Sequence, residues 1–503
     1  MDINKLDPKD WVFKSQRQRV SPFPNYFSME TSCNDMKSKV GFNVDKVLYF
    51  IKNNVHYLFL SVHGYKQIGQ GLTDNIYKDA KLVGKLIKQQ DKHGKRLSEF
   101  SKKANKKVKN KISNQELFNL FVDYEKFYKE VYSRYGWIWV FEDFYIESLL
   151  KIVESRPSVK NNIQASKILN VLTKELTAMV ATVENKSLLE LSLQVVKDFE
   201  WKELILSKDE NKIKANKKLD KLIDRHVREF FWLTRDYEDP ILDFSAVVTK
   251  LEKVIQSNPE EEYRKLVTRL ENTEKSRSQY LQELNLEKQE LAAINSMRQV
   301  AYLKELRKRY VSESLYYFDD VLKEIGKRTF LSINQVRHLK TEDVKKVLLG
   351  GEDLSHELNE RIKLSLWLVE EGTDTQILTG KVAEDMFTKF CAVDENATEF
   401  TGMAVSPGVI QGPIKIIINP DECDRVEKGD IILSIQVVPS FSTAIMKAGG
   451  LICDGGHGIT THPATLAREA GIPGVIQTRF ARNVLKDGDM VEVDGNKGIV
   501  RKL

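Results

Sequence analysis

The sequence predicts a multidomain chain: a mainly α-helical region over residues 1–397 that carries one small β-hairpin, and a C-terminal domain over 398–503 of different character. Three observations carry this. Residues 401–503 hold 14 of the 26 glycines and 6 of the 12 prolines. Ahead of them the chain is glycine-poor, charged and helix-prone, and neither helix breaker occurs between Pro259 and Gly326. Near the N-terminus, two β-branched and aromatic runs flank a short polar turn, the pattern of a hairpin. The boundary is placed between Asn396 and Gly402.

The elements follow in order. Residues 1–40, with Trp11 and the Ser21-Pro22-Phe23-Pro24 turn, read as an irregular arm packed on something larger. Lys46–Ile51 and His56–Ser61 form the hairpin around Lys52-Asn53-Asn54, within about 46–62. His56 and His63 are read as structural. From residue 74 the pattern is helical. Lys102, Lys103, Lys106, Lys107, Lys109 and Lys111 form the most basic run. No stacking aromatics interleave it, so a solvated face is preferred over a nucleic-acid patch. Leu117, Phe118, Phe121, Tyr124, Phe127, Tyr128, Val131 and Tyr132 recur at helical spacing and read as core. Trp137 and Trp139 are expected between helices. Arg235 and Asp236, ahead of Pro240, read as a cap or ion pair, with a substrate contact as the alternative. Residues 259–326 are expected as long helices, an antiparallel pair.

Overall composition narrows the classes. Net charge is +6 over 503 residues, which is mild. Residues 399–503 carry 11 basic and 12 acidic side chains, so the positive excess lies in the front part. Cys33, Cys391, Cys423 and Cys453 are far apart, without metal-ligand spacing, and read as reduced thiols. No stretch reaches the roughly 18 apolar residues of a membrane span. Met1-Asp2-Ile3-Asn4-Lys5 does not open a signal peptide, so a cytoplasmic protein is expected.

The most informative stretch runs from Gly455 to Pro473. A glycine-rich turn leads through Thr460 and Thr461 to His462, then Pro463 and a run suited to a helix. Proline is favoured at the first helical position, which places His462 at the N-cap or just before it. Unpaired amides and the positive end of the helix dipole make such a terminus an anion site. Gly471 closes the helix, and Ile472-Pro473 forbids its continuation. Neutral imidazole is a nucleophile near pH 7, so His462 can carry a phosphoryl group. A capping histidine beside a structural turn fits the same residues.

This stretch resembles the phosphohistidine signature of the phosphoenolpyruvate-utilising enzymes, the family of phosphoenolpyruvate synthase, pyruvate phosphate dikinase and rifampicin phosphotransferase. Thr460, Thr461, His462, Ala467, Arg468, Glu469, Gly471, Ile472 and Pro473 match the pattern. His457 stands where a first glycine is usual, Gly458 keeps the second, and Pro463 replaces a common Ala or Gly. Ala404–Pro413 resembles the entry to the family's swivelling domain, Gly429–Leu433 its next strand, Pro439 the loop before a helix near Ala444, and Gly488–Gly495 its last hairpin. Phe330–Leu349 weakly resembles the helical segment that precedes this domain in relatives.

The resemblance implies an α/β (β/β/α) swivelling domain and a phosphotransferase of the kinase or dikinase class. His462 would be transiently phosphorylated, with Gly458, Thr460, Thr461 and Arg468 holding the phosphoryl oxygens. For Arg468, pairing with Glu469 is the equal alternative. Residues 1–400 contain neither a Gly-x-x-x-x-Gly-Lys-Ser/Thr loop nor Gly-x-Gly-x-x-Gly, and no strand–helix rhythm of a barrel. The chain is therefore expected to bind no cofactor or metal itself. Magnesium with ATP or phosphoenolpyruvate would arrive on a separate nucleotide-binding, ATP-grasp-like protein, and a small molecule would be the acceptor. Nucleic acid and membrane are not expected partners. The alternative is a non-catalytic binding or regulatory module that retains the swivelling fold on a helical scaffold.

Overall fold

The computed structural model describes residues 6–135, 138–173, 179–235, 238, 240–392, 394–437, 441–456 and 461–503, with backbone alone at 134, 135, 138–140, 143, 162, 163, 420, 421 and 462. The chain forms two compact units. Met1–Asn75, Glu99–Tyr145 and Tyr317–Leu503 make the first; Ile76–Ser98 and Ile146–Tyr316 make the second. Most of the described residues are helical, with two sheets, one of five strands and one of eight.

The five-stranded sheet belongs to the first unit. Its strands are β1 (Trp11–Gln18), β2 (Lys46–Lys52), β3 (Val55–Ser61), β4 (Ser365–Glu370) and β5 (Gln376–Leu378). They lie in the order β1-β3-β2-β4-β5, every neighbour antiparallel. The expected hairpin is β2–β3. Its turn residues, Asn53 and Asn54, have φ of 50° and 60°, which asparagine tolerates and which matches the twist of the strands. One sheet face carries Trp11, Leu48, Phe50, Tyr57, Phe59, Leu366 and Leu368. It packs on Ala383, Met386 and Phe390 of the helix Gly380–Phe390.

Two expectations are corrected here. The hairpin is not isolated, because β4, some three hundred residues later, pairs along β2 from Lys46↔Glu370 to Ile51↔Ser365. Nor is the N-terminus an irregular arm. It contributes edge strand β1 and the helix Asn25–Asn34, whose Tyr26 and Phe27 are fully buried. A register shift between Phe13 and Ser15 interrupts the alternation that would have marked β1.

Other readings hold. Leu117, Phe121, Tyr124, Tyr128 and Val131 are buried on the helix Asn114–Tyr135. Lys102, Lys103, Lys106 and Lys107 lie on the exposed side of the helix Leu82–Val108. His56 is buried, with Nε2 3.0 Å from the Ser15 hydroxyl. The four cysteines are free and buried. Trp137 and Asp236 lie outside the described residues, as does the side chain of Trp139.

The eight-stranded sheet is built wholly from the C-terminal segment: β6 (Glu399–Thr401), β7 (Met403–Ser406), β8 (Val409–Ile416), β9 (Ile431–Ser434), β10 (Gly450–Cys453), β11 (Gly474–Ile476), β12 (Met490–Asp494) and β13 (Ile499–Lys502). The order is β6-β13-β12-β8-β9-β10-β11-β7. Strands β8, β9, β10 and β11 run parallel, and the flanking pairs are antiparallel. Parallel strands covered on both faces read as continuous apolar runs, and Ile431-Ile432-Leu433 and Leu451-Ile452-Cys453 do so. Alternate residues feed different cores. Ile432, Leu451, Cys453 and Ile476 join Ala464 and Ala467 of the helix His462–Ala470. Ile431, Leu433, Ile452 and Val475 join Val491, Val493, Val500 and Leu485.

The regular elements of the second unit's described residues are helices. Asp198, Asp209, Asn216, Asp243 and Asn258 each cap a helix N-terminus with the side chain, so the starts are written in sequence. Helix Lys217–Phe230 buries Leu219, Ile223, His226 and Phe230, one stripe of an otherwise charged cylinder. The long helices are Pro259–Leu284 and Lys288–Thr329. The first packs on the helices Asn162–Thr173 and Val180–Val195. Arg235 is structural, its carbonyl accepting from the Ser312 hydroxyl at 2.9 Å and its guanidinium lying over the Tyr316 ring.

Candidate functional site

The site is assembled where β10 ends. After Cys453 the chain must leave the sheet, turn and begin a helix within nine residues. Asp454, Gly455 and Gly456 make the exit. A Cβ on Gly455 would lie 2.5 Å from the Ile435 carbonyl and 2.9 Å from that of Gln16, so no larger residue fits without displacement. Gly456 has φ of +101°, a conformation costly for other residues. The glycine pair is thus fixed by space at one position and by backbone geometry at the next.

A second segment, Gln477–Arg482, braces this exit. The Gln477 amide donates to the Gly455 carbonyl at 3.1 Å, and its side-chain Nε2 donates to the Gly456 carbonyl at 3.0 Å. The Thr478 and Arg479 amides donate to the carbonyls of Cys453 and Asp454. To follow that path Gln477 and Arg479 take φ of 60° and 66°. The Asp454 carboxylate is the centre of the brace. It accepts from the Thr478 hydroxyl at 2.7 Å, from the Ala481 amide at 2.9 Å and from the Arg482 amide at 3.0 Å. Burial is the main influence on Asp454 and pushes its pKa up to about 6, against the three hydrogen bonds that favour the charged form.

The helix opens at His462, with Thr461 as N-cap and Pro463 the second helical residue. This shifts the sequence reading by one position. Proline costs nothing there either, because the first four helical amides have no partner within the helix. Thr461 has extended backbone angles, φ −73° and ψ 159°, and its side chain does not cap the helix. At the far end Gly471 has φ of 69°, and the Ile472 amide donates to the Ala467 carbonyl at 3.0 Å, the closure expected of that glycine.

The structure therefore places Thr461, His462 and Arg468 on one short helix. Arg468 is six residues beyond His462, about 9 Å along the axis at a rise of 1.5 Å per residue. It is half-buried, and burial lowers its pKa to about 10, with Glu469 opposing the shift. The guanidinium stays charged at neutral pH. Gly458 and Thr460 lie outside the described residues, as do His457, Pro439 and the side chain of His462. Sequence reasoning missed Asp454 and the Gln477–Arg482 brace. The available signal was an aspartate ending the apolar run Leu451-Ile452-Cys453 directly before two glycines.

Comparison with known proteins bears on this segment. The family described as PEP-utilising enzyme, mobile domain, matches residues 426–498. The chain is 32% identical over 170 residues to a protein named probable phosphoenolpyruvate synthase from Archaeoglobus fulgidus, covering 33% of this chain and 22% of that protein. It is 37% identical over 110 residues to phosphoenolpyruvate synthase from Pyrococcus furiosus, covering 22% and 13%. It is 26% identical over 186 residues to rifampicin phosphotransferase from Bacillus cereus, covering 37% and 20%. The chain thus spans about a fifth or less of the length of these relatives. The first and third matches cover more of the chain than residues 398–503 contain, so similarity continues upstream of the eight-stranded sheet. Residues 426–498 of the C-terminal segment, with the glycine exit and the His462 helix, match the mobile domain of the phosphoenolpyruvate-utilising enzyme family.

Proposed function

We propose that this chain is a phosphotransferase component in which His462 is the transient phosphoryl carrier. The observation that carries the reading is the placement of His462 at the first position of a helix, in a segment matched by the mobile-domain family. A ring nitrogen of neutral His462 attacks the phosphorus of the donor. The N–P bond forms as the bond from phosphorus to the leaving oxygen breaks. An acceptor oxygen then attacks the same phosphorus, the N–P bond breaks, and the imidazole is regenerated. Phosphoryl transfer asks for in-line placement and charge neutralisation more than covalent help from side chains. The free amides of the His462 helix, with Gly458, Thr460 and Thr461, supply donors to the equatorial oxygens, and Arg468 supplies a lasting positive charge.

The donor in this reading is ATP or phosphoenolpyruvate and the acceptor a small molecule; the names of the relatives mention phosphoenolpyruvate and rifampicin. A separate nucleotide-binding partner brings the donor with its magnesium. Labelled ATP or phosphoenolpyruvate with such a partner is the test, and phosphoramidate serves as a partner-independent donor. Acid-labile, base-stable label is expected on the wild type and absent from His462→Ala. Equal labelling of both proteins, or none with any donor, excludes the carrier and leaves a non-catalytic module.

A further inference from the structure

From the contacts of the brace, we infer that strand β1 is a releasable docking ledge for the mobile domain, with Phe480 as the latch. This rests on the reading that the C-terminal segment moves as a carrier. Phe480 lies between Thr478 and Ala481, two of the residues that bind Asp454. Its ring is 5.6 Å from Phe13 and 6.4 Å from Tyr57, on the face of the five-stranded sheet that also buries Phe59 and Phe390. Arg479 stands over the Phe13 ring at 5.8 Å. Arg19 Nη2 donates to Asn419 Oδ1. The Gln16 carbonyl closes on Gly455.

The mobile domain closes its own cores. The two cores of the mobile domain are built from its own strands and helices, and every paired strand of its sheet lies between 399 and 502. Among the described residues, the contacts between the ledge and the domain include a half-buried aromatic, a cation over a ring and one exposed hydrogen bond from a guanidinium to an amide oxygen. Between Cys391 and Phe400 the connecting residues 392, 394–396, 398 and 399 are exposed, and a segment of that kind can hinge. The position of the latch gives it a second property. Phe480 docks on β1 while its neighbours hold the carbonyls of Cys453, Asp454, Gly455 and Gly456. Engagement with β1 therefore stiffens the exit that leads to His462, and release from β1 loosens it.

The test needs no phosphoryl donor, so it stands or falls separately from the labelling experiment. The native cysteines are buried, so spin labels go to Glu384→Cys, on the helix backing the sheet, and Lys486→Cys, in the mobile domain; both positions are exposed. The wild-type full chain is expected to give one narrow distance distribution. Phe480→Ala, and separately Phe13→Ala from the other side, should raise the broad, released population about tenfold, the scale of losing one aromatic pair. The double variant should release little more than either single variant, because both remove the same contact. A broad distribution in the wild type overturns the proposal, as does a narrow one that survives both substitutions. The second variant guards against a local folding defect at Phe480.

Discussion

Asp454 shows what one buried carboxylate does to a chain. Its pKa is pushed up to about 6, from an ordinary value of 3.8. Between those values the folded protein holds a proton that the unfolded chain has lost. Stability from this group is therefore greatest below pH 4 and falls as pH rises through 6. Replacing it with asparagine removes that dependence and turns an amide toward the Arg482 N–H, where the carboxylate accepted. Asp454→Asn is expected to destabilise by about 1–3 kcal/mol at pH 7. The deficit relative to wild type should widen by about 1 kcal/mol between pH 7 and pH 5. Urea unfolding of both proteins at the two pH values reads this directly. The difference cancels His338, whose pKa burial lowers to about 4 and which acts in the opposite sense in both proteins. His462 could be found from its neighbours because the role proposed for it needs a helix start, and helix starts are written locally. Asp454 could not, because its three donors come from residues 478 to 482, across a strand and a loop.

Elements differ in how much of themselves they announce. The helix His462–Ala470 was legible at both ends, through Pro463 and Gly471, and β2–β3 through two asparagines in a turn. Strand β1 was not. Its sequence, Trp11 to Gln18, mixes Lys14, Gln16 and Arg17 into positions that become buried or half-buried. Lys14 is reconciled with burial by lying over the Tyr65 ring, 4.5 Å away, a contact that composition cannot foretell. Strand β4 was hidden for another reason, since its apolar run Leu366-Trp367-Leu368-Val369 sits among helices and its partner is β2. The parallel strands of the C-terminal sheet make a sharper claim about burial. Leu451 and Ile452 are adjacent and both fully buried, yet they enter different cores. In a sheet with one wet face, one of the two substitutions Leu451→Ala and Ile452→Ala would be nearly neutral. Here each is expected to cost about 2–5 kcal/mol, measured as the loss of unfolding free energy in urea.

At the scale of the molecule, the question is whether the boundary read near residue 398 divides two folding units. Chain contacts group residues 317–503 with the N-terminal sheet, so proximity alone does not draw the line. The argument for it is closure of the core. The buried side chains of both C-terminal clusters run from Phe400 to Val500, and no member of either comes from the front part. Eight strands satisfy one another within 399–502, while the Phe480 latch, the Arg479 cation, Asn419 and Gly455 are among the described residues that would lose a neighbour. A segment of this size, about a hundred residues, buries enough surface to fold alone. Residues 396–503 expressed separately should therefore be monomeric, give dispersed amide resonances and unfold cooperatively in urea. Its amides in β9, β10 and β11 should be the slowest to exchange, because both faces of those strands stay covered. A fragment that binds hydrophobic dye and lacks a cooperative transition would mean that the front part completes this core, and the carrier would then have no independent body to move.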